Sequence, residues 1–212
     1  MEGASAEVPS EPIRGKTARF DAKLVHLLTC SAGAFAELGY EKASIRQVAQ
    51  KTGVSLAGLY HYVKSKDELL FLIQYRTFGV LVEGLEGVLE DHDTPEEQLR
   101  EMVASHVRFL VEHLPELKVC TTELDSLQGE FYEQVLRRRQ RYFDLTRQIL
   151  MRLAEQDGGA RVEPNLAALN LFGMLNWIVM WFDPRRNDPA EMSDSLVALF
   201  LGGYRITPAS DG

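Results

Sequence analysis

SIRQVAQKTGVSLAGLYHYVKSKDEL, residues 44–69, decides the fold. Ser44 and Gln47 have the S-x-x-Q spacing of a capping box, which predicts a helix from Ile45. Ile45, Val48 and Ala49 fall at i, i+3 and i+4, one apolar helix face. Gly53 stands where a left-handed residue closes that helix. Ser55 can cap a second short helix, with Leu59 and then Val63 turned inward. Ser65 and Glu68 repeat the capping-box spacing and predict a third helix from Lys66. Two short helices around a glycine turn make a helix-turn-helix, whose second helix enters the DNA major groove.

The 212-residue chain has a net charge of −8, the wrong sign for binding DNA, but the distribution matters more. Residues 14–66 hold 9 basic and 3 acidic side chains, whereas residues 67–212 hold 14 basic and 25 acidic ones. A basic head on an acidic body points the head at phosphate and keeps the body off it. The length allows one large or two small domains with a substantial core. Cys30 and Cys120 match no metal or redox spacing and read as free thiols of a reducing cytoplasm, where the chain is expected to work. The most apolar run, 171–182, is 12 residues long and contains Asn176, too short to span a membrane. The N-terminus lacks a signal-peptide pattern.

Outward from the central stretch, residues 1–13 carry three Glu and two Pro and read as a disordered tail. Arg14, Lys16 and Arg19 follow, either as solvated charge or as an arm touching phosphate or the minor groove. A helix is predicted over 17–38 and closed by Gly39. The helix from Lys66 should run about 24 residues, about 36 Å, to the break at Asp91-His92-Asp93. Gly79, Gly84 and Gly87 within it mark either a bend or a close helix contact. Thr94-Pro95-Glu96-Glu97 opens another helix, ended by Pro115. Further helices are predicted over 116–127, from Gly129 or Glu130 to about 155, from Pro164 to Trp181/Phe182, and from Asp188-Pro189 to Gly202-Gly203. The expected fold is all-α, about nine helices, with a DNA-binding unit over 14–64 and a ligand-binding and dimerisation body over 65–212.

The central run resembles the signature of tetracycline-repressor-like (TetR) transcriptional regulators. That signature has a small hydroxyl residue before I-x-x-(I/V)-A, then G-V-S-x-(G/A)-x-L-Y, then F-x-S-K-x-x-L. Two positions depart from it: Tyr62 replaces the usual His, and Val63 the usual Phe. The resemblance implies a homodimer reading a pseudo-palindromic operator, most often as a repressor released by a small molecule. A second resemblance covers the body, from Glu123-Leu124 through the arginine-rich helix and the Gly-Gly loop to F-G-M-L-N-W-I-V-M-W-F-D-P. It looks like the branch controlling fatty-acid, phenylacetate and sterol-ring catabolism, which implies an acyl-coenzyme A effector.

By motif position, the resemblance places Ser44, Tyr60, Tyr62 and Lys66 at phosphate contacts. Lys64 is a further candidate, and Ser55, Leu56, Ala57, Gly58 and His61 lie on the recognition helix. That helix has no Arg, Asn or Gln to bond bidentately with G or A. Base reading from it is therefore thin, and thymine-methyl contacts from Leu56 and Ala57, Arg46 outside it, and DNA shape must supply the rest. For the effector pocket that the family implies, Met102, Phe109, Phe131, Phe172, Met174, Trp177 and Trp181 are suitable wall residues, though each also suits plain core. Arg137, Arg138, Arg139 and Arg141 are the densest positive charge in the body. Arg137 and Arg141 share a face at i, i+4 and read either as ion-paired surface charge or as anchors for coenzyme A phosphates. The resemblance also makes the last two helices the dimer interface. No nucleophile elbow, P-loop or HExxH motif is present. His106 and His113 lie two turns apart, too far for one metal unaided. No catalysis, metal or cofactor is expected. The other readings are a ligand-binding helical protein with a vestigial helix-turn-helix, and an activator without effector-driven release.

Overall fold

A computed structural model describes residues 18–183 and 185–205. The tail predicted over 1–13, and Arg14 and Lys16 of the basic arm, lie outside them, as does the side chain of Arg19. Among the described residues there are nine α-helices: α1 (Ala18–Leu38), α2 (Ile45–Thr52), α3 (Leu56–Tyr60), α4 (Lys66–Asp91), α5 (Pro95–Glu112), α6 (Leu114–Thr122), α7 (Gly129–Gln156), α8 (Pro164–Trp177) and α9 (Pro189–Tyr204).

The local signals form as chemistry requires. The Ser44 hydroxyl accepts from the Gln47 N–H at 3.3 Å while the Gln47 side-chain carbonyl accepts from the Ser44 N–H at 2.8 Å. Gly53 closes α2 at φ 70°, a left-handed angle that costs glycine nothing. Ser55 caps α3 through the Gly58 N–H at 3.0 Å. The box at Ser65 is only half as predicted. Ser65 accepts from the Glu68 N–H at 3.0 Å, but Glu68 reaches back to the Lys64 N–H, one residue beyond its expected partner.

Three expected boundaries move. The helix predicted over 116–127 starts earlier, at Leu114, because Pro115 fits a first turn that needs no N–H from it, and it gives way to a 3-10 turn at Leu124–Ser126. The helix predicted to reach Trp181 or Phe182 tightens to 3-10 at Ile178–Met180, where Pro184 ahead disfavours continued helix. The last helix runs through Gly202-Gly203 to Tyr204, whose buried hydroxyl donates to the Leu150 carbonyl at 2.7 Å. Tertiary anchoring there outweighs glycine's weak helix propensity.

α4 is the central rod, 26 residues or about 39 Å. Leu69 through Gln74 are buried on every side, because α1 and α6 cover one flank and α7 the other. Gly79 is a close contact: a Cβ there would lie 1.9 Å from Nη1 of Arg138. The guanidinium crosses from α7, donates to the Tyr75 carbonyl at 3.0 Å and lies 3.5 Å from the Tyr75 ring centre. At Gly84 and Gly87 a Cβ would meet nothing within 4 Å. α5 packs on α7 and α9, and Arg205 ties the end of α9 to Asp157 and Glu96 at 2.7 Å each.

Candidate functional site

The α2–α3 unit presents Ser44, Arg46, Ser55, Ala57, Tyr60, His61 and Lys64 to solvent. Among the described residues, Arg46, Tyr60 and Lys64 direct no side-chain hydrogen bond or ion pair to the protein. Leu56, Gly58 and Tyr62 are half-buried. Gly58 sits so close to the turn that a Cβ would lie 2.9 Å from Val54 Cγ1, so the position packs rather than reads. The Tyr62 ring lies against Phe20 at 4.9 Å, and His61 meets the same ring edge-on at 6.1 Å. Lys66 is half-buried and folds back onto the turn between α1 and α2. Its ammonium donates to the Tyr40 carbonyl at 3.0 Å and stands 4.2 Å from the Tyr40 ring centre.

Tyr40 joins this unit to the body. It is buried, its hydroxyl donates to Asp67 at the start of α4, and its N–H faces the Glu123 carboxylate at 3.5 Å. The Glu123 carbonyl accepts from Gln74 of α4 at 3.0 Å. Glu123 directly follows α6, whose Leu117, Cys120 and Thr121 line a cavity.

That cavity has a volume of about 450 Å³ and is walled by α4, α5, α6, α7 and α8. Phe78, Leu81 and Phe172 make its apolar side; Arg139, Gln140, Asn165 and Asn176 make its polar side. Among the described residues, Arg139 is the member of the arginine run without a partner. Arg137 pairs with Glu133 at 3.7 Å, Arg138 with the Tyr75 carbonyl, and Arg141 with Glu86 at 2.8 Å. A smaller recess of about 250 Å³ lies between α4 and α5 and includes Met102 and Phe109. Leu81, His106 and Tyr142 belong to the walls of both.

Two family models match the chain: "Bacterial regulatory proteins, tetR family" over residues 27–73 and "Tetracyclin repressor-like, C-terminal domain" over residues 92–204. The chain belongs to the TetR family. A TetR family transcriptional regulator from Thermus thermophilus, PfmR, is 33% identical, with 84% of this chain and 97% of that one covered and a TM-score of 0.76. AibR, solved with isovaleryl coenzyme A and operator DNA, is 27% identical, with 84% and 97% covered and a TM-score of 0.74. The fatty acid metabolism regulator protein of Bacillus subtilis (strain 168) is 22% identical over 85% of this chain and 95% of its own length.

As a TetR-family transcriptional regulator, the protein places its pocket residues differently from their reading in the sequence. Of that set, only Phe172 lines the large cavity; Met102 and Phe109 line the smaller recess. Phe131 stacks on Phe71 at 4.4 Å, and Met174 packs half-buried on the core. Trp177 and Trp181 are 65% and 50% exposed. Leu166 and Leu169 of α8, Met180 just beyond it and Leu199 of α9 are likewise at least half exposed, Leu169 also lining the large cavity. Arg137 and Arg141 flank a separate shallow recess beside Glu83 and Glu86. Sequence reading named Arg139 only within the arginine run and His106 only as a metal candidate, and it did not bring either to the pocket with Gln140, Asn165, Asn176 and Tyr142. Arg139 and Gln140 were within reach, because Leu136, Arg139, Gln140 and Phe143 fall at i, i+3, i+4 and i+7.

Burial lowers the His106 imidazole from 6.5 to about 4 and holds it neutral, hydrogen-bonded through Nδ1 to the Tyr142 hydroxyl at 3.1 Å. Below its unfolded value the unfolded chain takes up a proton that the folded one refuses. The contribution to stability is therefore whole above pH 6.5 and is lost as pH falls to 4. Its full size is about 3 kcal/mol. Urea titrations at pH 7 and pH 5 are expected to show a smaller acid loss in His106→Asn than in the natural protein.

Proposed function

We propose that the protein is a repressor that binds a pseudo-palindromic operator as a homodimer and leaves it when an acyl-coenzyme A thioester enters the large cavity. The cavity itself carries the reading. It is apolar on its inner side, has an unpaired Arg139 on its exposed side, and touches both α4 and α6. An acyl chain suits the first feature and the negatively charged coenzyme the second. AibR, solved with isovaleryl coenzyme A, and the Bacillus subtilis relative named for fatty acid metabolism support this choice. In this reading Arg139 takes the phosphate-binding role first assigned to Arg137 and Arg141.

Ser44, Arg46, Tyr60 and Lys64 anchor each half to phosphate, and Ala57 and Leu56 meet the groove. Release is a population shift: the effector favours the arrangement of α4 and α6 that draws the two α3 helices off successive major grooves. Lys66 contributes by holding the α1–α2 turn to α4. The regulator would act where its DNA is, in the cytoplasm.

The test is fluorescence anisotropy with DNA flanking the protein's own gene. Four cations, Arg46 and Lys64 from each half, give a salt slope of about −3.6 and roughly a 100-fold affinity loss between 50 and 200 mM salt. Decanoyl-coenzyme A is expected to release the DNA, and Arg139→Ala to raise the concentration needed at least tenfold. Salt-independent binding would leave a ligand-binding protein with an idle helix-turn-helix. Binding without release by any thioester would leave a regulator without this effector.

A further inference from the structure

The larger cavity and the smaller recess share a wall of Leu81, His106 and Tyr142. Two of those three residues are polar, and the cavities they divide carry both apolar side chains such as Phe78 and Phe172 and polar ones such as Ser105, Thr121 and Asn176. His106 is 3% exposed, and its Nδ1 is engaged with the Tyr142 hydroxyl at 3.1 Å. Its Nε2 has no hydrogen-bond partner among the described residues. A neutral imidazole always offers one donor and one acceptor. Tyr142 takes one of these roles at Nδ1, and the other stays open at Nε2.

A saturated chain lying over that nitrogen would seal it from water without replacing the lost hydrogen bond. A chain hydroxyl answers either tautomer, because it both donates and accepts. A carbonyl answers only one. Sites with a buried polar group reject ligands that leave the group unpaired far more strongly than apolar walls reject an extra methylene.

We infer that the effector carries a hydroxyl within its apolar part, bonded to Nε2 of His106 at the junction of the two cavities, with its anionic head at Arg139. The inference rests on the large cavity being the effector site. It assigns His106 as the specificity-determining residue and a hydroxylated acyl thioester as the ligand class.

Isothermal titration of the full chain decides it, with dodecanoyl-coenzyme A and its counterparts hydroxylated at single positions from carbon 3 to carbon 12. At least one hydroxylated thioester is expected to bind tenfold or more tightly than the saturated one. His106→Asn keeps a polar group for Tyr142 and removes Nε2; it is expected to cut that preference below threefold. Long-range ¹H–¹⁵N spectra of the natural protein give an independent readout, in which the Nε2 resonance moves with the preferred hydroxylated thioester and not with the saturated one. Saturated thioester binding as tightly as every hydroxylated one overturns the inference and leaves the acyl-coenzyme A reading standing. A preference that survives in His106→Asn overturns it too. No binding by any member of the set overturns both.

Discussion

A chain carrying Trp177→Glu and Leu199→Glu is expected to sediment as a monomer and to lose at least 100-fold in operator affinity. Both side chains are solvent-facing in the single chain, at 65% and 69% exposure, so neither substitution disturbs a packed interior. They lie on α8 and α9, and Leu166 and Leu169 of α8 and Met180 and Trp181 just beyond it are exposed as well. Monomers rarely leave large contiguous apolar patches in water. Next to Leu199, the exposed face of α9 carries Ser195, Ala198, Gly202 and Gly203, small residues that let a second helix approach closely. Two carboxylates per chain would meet two more across a dyad and would be buried without partners. Losing the dimer removes the gain of holding two half-sites at once, which is worth roughly 10²–10⁴ in affinity. Analytical ultracentrifugation and anisotropy check the two parts separately. A variant that stays dimeric would place the interface elsewhere. A monomer with undiminished DNA binding would show that one unit suffices.

Tyr40→Ala is the second large effect, and it acts within one chain. Tyr40 is 3% exposed, meets Phe35 edge-to-face at 5.1 Å, carries the Lys66 ammonium on its ring and donates from its hydroxyl to Asp67. Truncating a buried aromatic costs about 3–5 kcal/mol. For a chain of this size that lowers the melting temperature by roughly 10 °C. The backbone contacts to Lys66 and Glu123 remain available to alanine, so the damage falls on the packing of the α1–α2 turn against α4. Since α2 follows that turn directly, operator affinity is expected to fall more than tenfold even well below the melting temperature. Tyr40→Phe keeps the ring and loses only the hydroxyl. Asp67 is exposed to solvent on its outer side and rehydrates, so this variant should lose about 1 kcal/mol and hold its DNA within threefold. Differential scanning calorimetry with anisotropy separates the pair. Equal behaviour of Ala and Phe would remove Tyr40 from its joining role.

The same residue also joins the head to the segment that follows α6. α6 lines the cavity with Leu117, Cys120 and Thr121, and the segment that follows it meets Tyr40 and Gln74 through Glu123. α4 is therefore not the only connection between the cavity wall and the helix-turn-helix unit. Burial pushes the Cys120 thiol up to about 12, so within this wall it acts as a small apolar group rather than a reactive one.

What could be read without coordinates is what short-range chemistry controls. Ser44 with Gln47, Gly53, Ser55, and Thr94 with Glu97 set helix ends within four residues of themselves, and those ends form where the sequence places them. The order of helices, the helix-turn-helix and the family followed from that. The site residues were less legible, because their roles depend on groups far along the chain. A helical wheel separates Arg137 and Arg141 from Arg139, yet only the packing of α7 against α4 and α8 decides which set meets a cavity and which meets Glu86 and Glu133. Lys66 sits one residue after a helix cap, but the Tyr40 carbonyl that captures it is 26 residues away. His106 and Tyr142 are 36 residues apart and carry no mark in the sequence until α5 and α7 bring them to 3.1 Å. An apolar helix such as α8 shows that it must be covered, but periodicity cannot distinguish its own core from another chain. That was settled for the single chain only when its own packing buried Ala168, Leu171 and Leu175 and left Trp177 and Trp181 in water. Local hydrogen bonding and hydrophobic period thus determined the fold from sequence. Which charges stay unpaired, which aromatic rings face a cavity and which face outward are settled by competition among distant partners, and only the tertiary structure decided them.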